Sequence, residues 1–122
     1  MSPKRLFKSF KYALRGFGHL WRSEQNFRIQ IIAGVLAIAA AWSFPLEVWQ
    51  RITIVLLVSM VLILEIINSV IERLVDVLKS RIHPSVRDMK DMMAAAVLLS
   101  SFVALVIGGI ILYPYIVQLW MK

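Results

Sequence analysis

The apolar run from Ile52 to Leu64 limits most strongly what this chain can fold into. Its thirteen residues are apolar except for one Thr and one Ser, and 60% of the 122 residues of the chain are hydrophobic. A soluble domain of this length buries only part of its surface, so it could not cover so many apolar side chains. The sequence therefore predicts an all-α membrane protein, because helices satisfy their own backbone hydrogen bonds in lipid.

One helix is expected on the membrane surface and three across the membrane. Residues 4–22 carry apolar and basic side chains at helical spacing on different sides, which is typical of an amphipathic interfacial helix. Residues 27–44, 49–78 and 88–112 are predicted to be transmembrane helices, of which the first ends at Pro45. The whole chain, residues 1–122, is predicted to form a single domain.

Positive charge is clustered and predicts the orientation. Seven of the fourteen Lys and Arg residues fall between Lys4 and Arg28, and five more fall between Arg73 and Lys90. Cytoplasmic segments of membrane proteins are enriched in such residues, so the N-terminus and the second loop should face the cytoplasm. These patches also suit anionic lipid or phosphate-bearing ligands, whereas no nucleic-acid-binding motif is present and no nucleic-acid partner is expected. The absence of cysteine excludes disulfides and thiolate chemistry.

A row of polar residues follows the apolar run. Glu65, Asn68, Glu72 and Asp76 fall within about 80° of one another around a helix, so they form one stripe. The preceding thirteen residues cover roughly 20 Å of a hydrocarbon layer about 30 Å thick, which leaves Glu65 inside that layer and Asp76 beyond its cytoplasmic boundary. An ionisable group at this depth is costly and is typical of a functional site. The alternative interpretation is a helix that leaves the membrane early, with Glu65 solvated or paired to a Lys.

Two further polar clusters reach the same face of the membrane. Glu24 precedes the first span, and Lys90 and Asp91 open the third. Carboxylates suit Mg²⁺, which takes one or two of them together with substrate phosphates, and Lys and Arg suit the phosphates themselves. These residues indicate a nucleotide–metal site, although the familiar glycine-rich phosphate loops and the H-E-x-x-H motif are absent.

Three other interpretations remain open on the residues alone. The spacing of Glu24 and Arg28 also fits an ion pair within one helix. A small ion-coupled transporter would carry buried carboxylates too, though nearer the middle of the membrane. A non-enzymatic membrane adaptor would explain the basic helix but not the polar stripe.

The run E-I-I-N-S-V-I-E-R-L-V-D, residues 65–76, resembles the signature of the small bacterial integral-membrane lipid kinases, the diacylglycerol kinase and undecaprenol kinase family. Glu24 in E-Q-N-F-R, the Lys90-Asp91 pair and the arrangement of one surface helix with three spans match the family as well. The resemblance covers nearly the whole chain, from about residue 4 to residue 112. It implies an ATP- and Mg²⁺-dependent kinase of the bacterial plasma (inner) membrane, working in phospholipid or lipid-carrier metabolism.

The resemblance also implies roles for individual residues. Glu65 matches the base that takes the proton from the lipid hydroxyl, Glu24 and Glu72 match the carboxylates that hold Mg²⁺, and Lys90 matches the cation on the phosphates. Positions that match nucleotide contacts are Arg5, Tyr12, Glu24, Asn68, Glu72, Asp76, Arg81, Ile82, His83, Lys90 and Asp91. The family works as a homotrimer whose sites are shared between neighbouring subunits. The lipid alcohol would be undecaprenol or diacylglycerol, and E-Q-N-F-R and His83-Pro84 are nearer the undecaprenol kinase branch.

Overall fold

Four helices make up the described part of the chain. The computed structural model describes residues 2–78 and 84–122. Its helices, in chain order, are α1 (Pro3–Ser23), α2 (Gln25–Ser43), α3 (Val48–Leu78) and α4 (Pro84–Trp120). The described residues contain no strand. The prediction of an all-α protein with four helices is confirmed.

Helices α2, α3 and α4 are each long and apolar enough to cross a membrane. The 31 residues of α3 span about 46 Å. Helix α3 is central, because it packs against both α2 and α4, while α1 packs against α2. A hydrocarbon layer is only about 30 Å thick, so α3 is long enough to carry its last turns beyond it.

The junction between α1 and α2 is short and fixed by side chains. The hydroxyl of Ser2 caps the start of α1 by accepting a hydrogen bond from the backbone N of Arg5, 3.2 Å away. At the other end Glu24 has extended backbone angles that break the helix. Arg28 of α2 donates to the last carbonyls of α1, those of Trp21 and Arg22, at 2.7 and 3.2 Å. Arg28 therefore caps α1, whereas the ion-pair partner of Glu24 is Arg73 of α3.

The turn between α2 and α3 follows from Pro45. Phe44 adopts extended backbone angles, as residues before proline prefer. Arg51 of α3 then satisfies the exposed end of α2, with Nε 3.2 Å from the Ala41 carbonyl oxygen and Nη2 3.1 Å from that of Phe44. The Arg51 guanidinium also lies over the Trp42 ring. One arginine therefore holds this turn together.

Helix α4 is longer at both ends than the predicted transmembrane segment 88–112. It begins at Pro84, a favoured residue for the first helical turn, and it continues through Pro114 to Trp120. Pro114 removes one hydrogen bond, a loss that neighbouring helices and polar side chains can offset in a membrane helix. The hydroxyl of Tyr115 donates to Gln50 Oε1 at 3.0 Å, which ties the last turns of α4 to the start of α3.

Helices α2 and α3 approach each other closely at Gly34. A Cβ atom at this position would lie 2.7 Å from Cγ1 of Val58, a distance that real Cβ atoms almost never show. Valine is β-branched and stiff, so it cannot easily turn away. The absence of a side chain at Gly34 therefore sets the spacing of the two helices.

Gly34→Ala is expected to lower the thermal stability of the folded protein, since overpacking costs about 1–3 kcal/mol. Thermal unfolding in detergent measures the effect. Val58→Ala in the same chain should restore much of the loss, because it removes the atoms that clash. Gly16→Ala is the matched control, because a Cβ there meets nothing within 4 Å. A Gly34→Ala protein as stable as the Gly16→Ala control would contradict the packing argument.

Candidate active site

The polar stripe lies along the last four turns of α3, and its exposure rises towards the end of the helix. Glu65 is 2% exposed and Asn68 is 5% exposed. Glu72 is half-buried and Asp76 is exposed. The stripe therefore leads from the buried part of the bundle to the surface at the end where α3 stops.

Glu65 is held by a residue of another helix. Nε2 of Gln30, on α2, donates a hydrogen bond to Glu65 Oε2 at 3.3 Å. Glu72 lies two turns further along the same side of α3, and Glu24 is held against α3 by Arg73. Three carboxylates therefore share one region beside α2 and α3. The sequence predicted this grouping but not the Gln30 contact.

Asn68 connects the stripe internally. Its Nδ2 donates to Glu72 Oε1 at 3.3 Å, one helical turn further along. Its Oδ1 is buried and has no hydrogen-bond partner among the described residues. Asn68 therefore orients Glu72, and its buried Oδ1 can accept a hydrogen bond from a ligand.

Arg73 is the ion-pair partner of Glu24. Its Nη2 lies 3.3 Å from Glu24 Oε1 and donates to Ser23 Oγ at 2.6 Å. The same guanidinium contacts the His19 ring nitrogen Nε2. One side chain of α3 thus binds both the last turns of α1 and the carboxylate that follows them. Sequence reasoning missed Arg73, because it lies about 100° away from Glu72 around the helix and its partner is 49 residues distant.

The predicted phosphate-binding lysine lies at the open end of the stripe. Lys90 Nζ, on the second turn of α4, is 3.9 Å from Asp76 Oδ1, and the Asp76 side chain is exposed while that of Lys90 is partly exposed. An exposed pair of this kind contributes little stability. The two side chains can therefore separate and bind a charged ligand at a small cost in free energy. Asp91 is exposed beside Lys90.

The remaining predicted nucleotide contacts are not brought to this cluster. Arg5 and Tyr12 are exposed on α1, and Tyr12 lies about 18 Å along the helix from Glu24. The Tyr12 ring is instead covered by the Arg15 guanidinium. The predictions for residues 81–83, Arg81, Ile82 and His83, lie outside the described residues.

A match to a known family identifies the chain. The family model described as prokaryotic diacylglycerol kinase matches residues 11–112, which is most of the sequence and includes the whole stripe. The chain belongs to the prokaryotic diacylglycerol kinase family. The family resemblance predicted from residues 65–76 is therefore confirmed.

Individual relatives carry both names used in this family. A diacylglycerol kinase of Synechocystis is 35% identical over 115 residues, which are 93% of this chain and 66% of the relative. An undecaprenol kinase of Bacillus subtilis is 32% identical over 110 residues, which are 90% of this chain and 89% of the relative. A diacylglycerol kinase of Escherichia coli is 33% identical over 111 residues, which are 91% of each chain.

Family membership confirms the predicted enzyme class. The chain is a lipid kinase, and ATP is the phosphoryl donor that a kinase implies. Family membership and the three long apolar helices together indicate a multi-pass membrane protein. The comparisons give no support to the transporter alternative.

The donor set fits Mg²⁺ only with help from a nucleotide. Among residues 2–78 and 84–122, no group of three or more Asp, Glu or His residues is placed to hold a metal ion by itself. Glu24 and Glu72 supply two carboxylates. Mg²⁺ commonly uses one or two protein carboxylates and takes its other ligands from water and substrate phosphates. The residues present therefore fit a metal that arrives with a nucleotide.

An apolar cavity lies beside the buried end of the stripe. Its volume is about 380 Å³, and it is lined by residues of α2, α3 and α4. Its walls are almost wholly apolar, with Gln30 among the few polar residues that line it. Since Gln30 also binds Glu65, the cavity and the buried carboxylate are neighbours.

Proposed function

We propose that this enzyme transfers the γ-phosphoryl group of ATP to the hydroxyl group of a membrane lipid alcohol, either undecaprenol or diacylglycerol. One observation carries the proposal, namely the gradient of burial along α3 from the buried Glu65 to the exposed Asp76, which pairs with Lys90 of α4. A kinase that joins a lipid to a water-soluble nucleotide needs an apolar approach to its base and a charged, open approach for phosphates. The two ends of the stripe supply these in the right order.

Glu65 acts as the general base. A lipid hydroxyl near the membrane surface comes within hydrogen-bond reach of its carboxylate, which accepts the proton. The hydroxyl oxygen attacks the γ-phosphorus in line, its O–P bond forms, and the bond to the leaving ADP oxygen breaks. Phosphoryl transfer depends mainly on positioning and charge neutralisation, so no covalent enzyme intermediate is required.

Glu24 and Glu72 would hold Mg²⁺ at the nucleotide phosphates. When bound, the ion neutralises charge on the phosphates. Arg73 and Asn68 position these two carboxylates through the contacts described above. Glu24 must share its charge between Arg73 and the ion, and its side chain is still partly open to solvent, 23% exposed, in the pair with Arg73.

The nucleotide lies at the open end of the stripe. Lys90 binds the transferred phosphates, with Asp91 beside it, and Asn68 and Asp76 help to organise the nucleotide. Arg5, Tyr12 and residues 81–83 are proposed as further nucleotide contacts. The distance of Arg5 and Tyr12 from Glu24 along α1 is compatible with their serving a neighbouring subunit of a homotrimer.

The chain is proposed to be a single lipid kinase domain in the bacterial plasma (inner) membrane. Helix α1 has no buried residue and carries Lys and Arg at helical spacing, so it is assigned to the cytoplasmic interface. The N-terminus and the active site then face the cytoplasm, as the distribution of basic residues favours. This orientation gives the site access to cytoplasmic ATP.

The choice between the two lipids calls for a direct assay. Identities to the Bacillus subtilis undecaprenol kinase and the Escherichia coli diacylglycerol kinase differ by one percentage point, 32% against 33%, so they do not separate the two. Purified enzyme in mixed micelles should be given radiolabelled ATP and Mg²⁺ with each lipid separately. We expect label in one lipid to exceed label in the other at least tenfold, with undecaprenol preferred. Equal transfer to both would show that the site recognises the hydroxyl group and not the rest of the lipid. Transfer to neither would contradict the proposed function.

A further inference from the structure

We infer that Gln30 is a positioning residue for Glu65, holding the carboxylate so that one oxygen stays free to face the lipid hydroxyl. The inference rests on the proposed role of Glu65 as the base. It adds a residue from α2 to a site otherwise built on α3, the α1–α2 junction and the start of α4. Gln30 itself neither gives nor accepts the transferred proton.

The contact is well placed for such a role. Glu65 is 2% exposed, so water has little access to orient its carboxylate. Gln30 Nε2 donates to Glu65 Oε2 at 3.3 Å, which leaves Oε1 available to a substrate hydroxyl. The last torsion of a glutamate side chain has a broad energy profile, so a carboxylate without an anchor would rotate. A donor from the facing helix stops that rotation.

The packing of α2 against α3 brings the two side chains together. Gly34 lies one helical turn beyond Gln30 on the same side of α2. Its lack of a side chain lets Val58 of α3 approach to a distance that any Cβ would block. The close approach at Gly34 therefore keeps the Gln30 amide within reach of Glu65.

Gln30 is also an unfavourable residue for stability alone. Its Oε1 is buried and has no hydrogen-bond partner among the described residues, while the cavity around it is almost wholly apolar. Leaving a buried acceptor unsatisfied costs free energy, and an apolar residue of similar shape would avoid that cost. The donor function towards Glu65 explains why an amide stands here. The proton step is unchanged: the lipid O–H bond breaks towards Glu65 as the O–P bond forms and ADP leaves.

Gln30→Met tests the inference, because methionine has a similar length but no N–H donor. We expect kcat for lipid phosphorylation to fall at least about tenfold, while KM for ATP stays within about twofold because the nucleotide binds at the other end of the stripe. The infrared band of the Glu65 carboxyl group, assigned by its loss in Glu65→Gln, should shift in Gln30→Met. Gln118→Met, the same change at an exposed position on α4, is the control and should alter neither.

Each outcome decides the matter. A kcat within about twofold of the wild type, or an unmoved carboxyl band, overturns the inference, since it requires both changes. If Gln30→Met does not fold, Gln30→Asn replaces it, because the amide is kept but is one methylene too short to reach Glu65. Retained turnover in Glu65→Gln would instead overturn the proposed base, whereas an inactive Glu65→Gln with an active Gln30→Met would overturn the role of Gln30 alone.

Discussion

Glu65→Gln is expected to lower the rate of lipid phosphorylation at least about 100-fold, the lower end of what a positioned general base contributes. The change keeps the shape of the side chain but removes the negative charge and the basic oxygen. Because Glu65 is buried, a neutral amide there should not destabilise the fold. Nucleotide binding should persist, since the charged groups near the end of α3 and the start of α4 are untouched. Initial rates at saturating ATP, together with binding of a fluorescent nucleotide, measure the two effects.

Glu47→Gln is the matched control for this variant. Glu47 precedes α3 at its other end, where its carboxylate accepts a hydrogen bond from the indole of Trp49. The substitution is chemically the same but lies across the membrane from the proposed site, so turnover should stay near the wild-type rate. Turnover above half the wild-type rate in Glu65→Gln would contradict the assignment of the base.

Glu24→Gln and Glu72→Gln are expected to raise the Mg²⁺ concentration for half-maximal activity at least about tenfold each. The loss of one of two carboxylate ligands accounts for the effect, and tenfold corresponds to about 1.4 kcal/mol. Titration of activity with Mg²⁺ at fixed ATP gives the shift. Electron paramagnetic resonance of Mn²⁺ bound with a nucleotide gives it independently of turnover.

Asp88→Asn provides the comparison for these two variants. Asp88 is an exposed carboxylate near the start of α4, so it carries similar charge on the same side of the bundle without belonging to the proposed pair. Its Mg²⁺ requirement should match that of the wild type. Unchanged Mg²⁺ dependence in both Glu24→Gln and Glu72→Gln would rule out the proposed pair of metal ligands.

The number and type of the helices followed from local features of the sequence. Pro45 marks the end of α2 by restricting the residue before it, and unbroken apolar stretches mark the three long helices. The spacing of Glu65, Asn68, Glu72 and Asp76 placed them on one face of α3, and their burial falls along the helix in the order that their depth predicted. These features depend on helical geometry alone, which is why they could be anticipated.

The contacts between helices could not be predicted in this way. Gln30 and Glu65 are 35 residues apart, and Glu24 and Arg73 are 49 apart. Such pairs depend on how helices rotate and approach each other, which the pattern of one helix does not encode. Gln30 in particular precedes a run of apolar residues, and no motif in the sequence drew attention to it. The extension of α4 through Pro114 was missed for a related reason, because its support comes from Gln50 on another helix.

The most direct test of the central claim is to follow the γ-phosphate of radiolabelled ATP with the purified protein and lipid alcohol. We expect label that is extracted with the lipid, that appears only with Mg²⁺, and that is lost in Glu65→Gln. Label released only as inorganic phosphate would contradict lipid phosphorylation. So would folded protein that consumes no ATP but moves protons or cations across the membrane of liposomes.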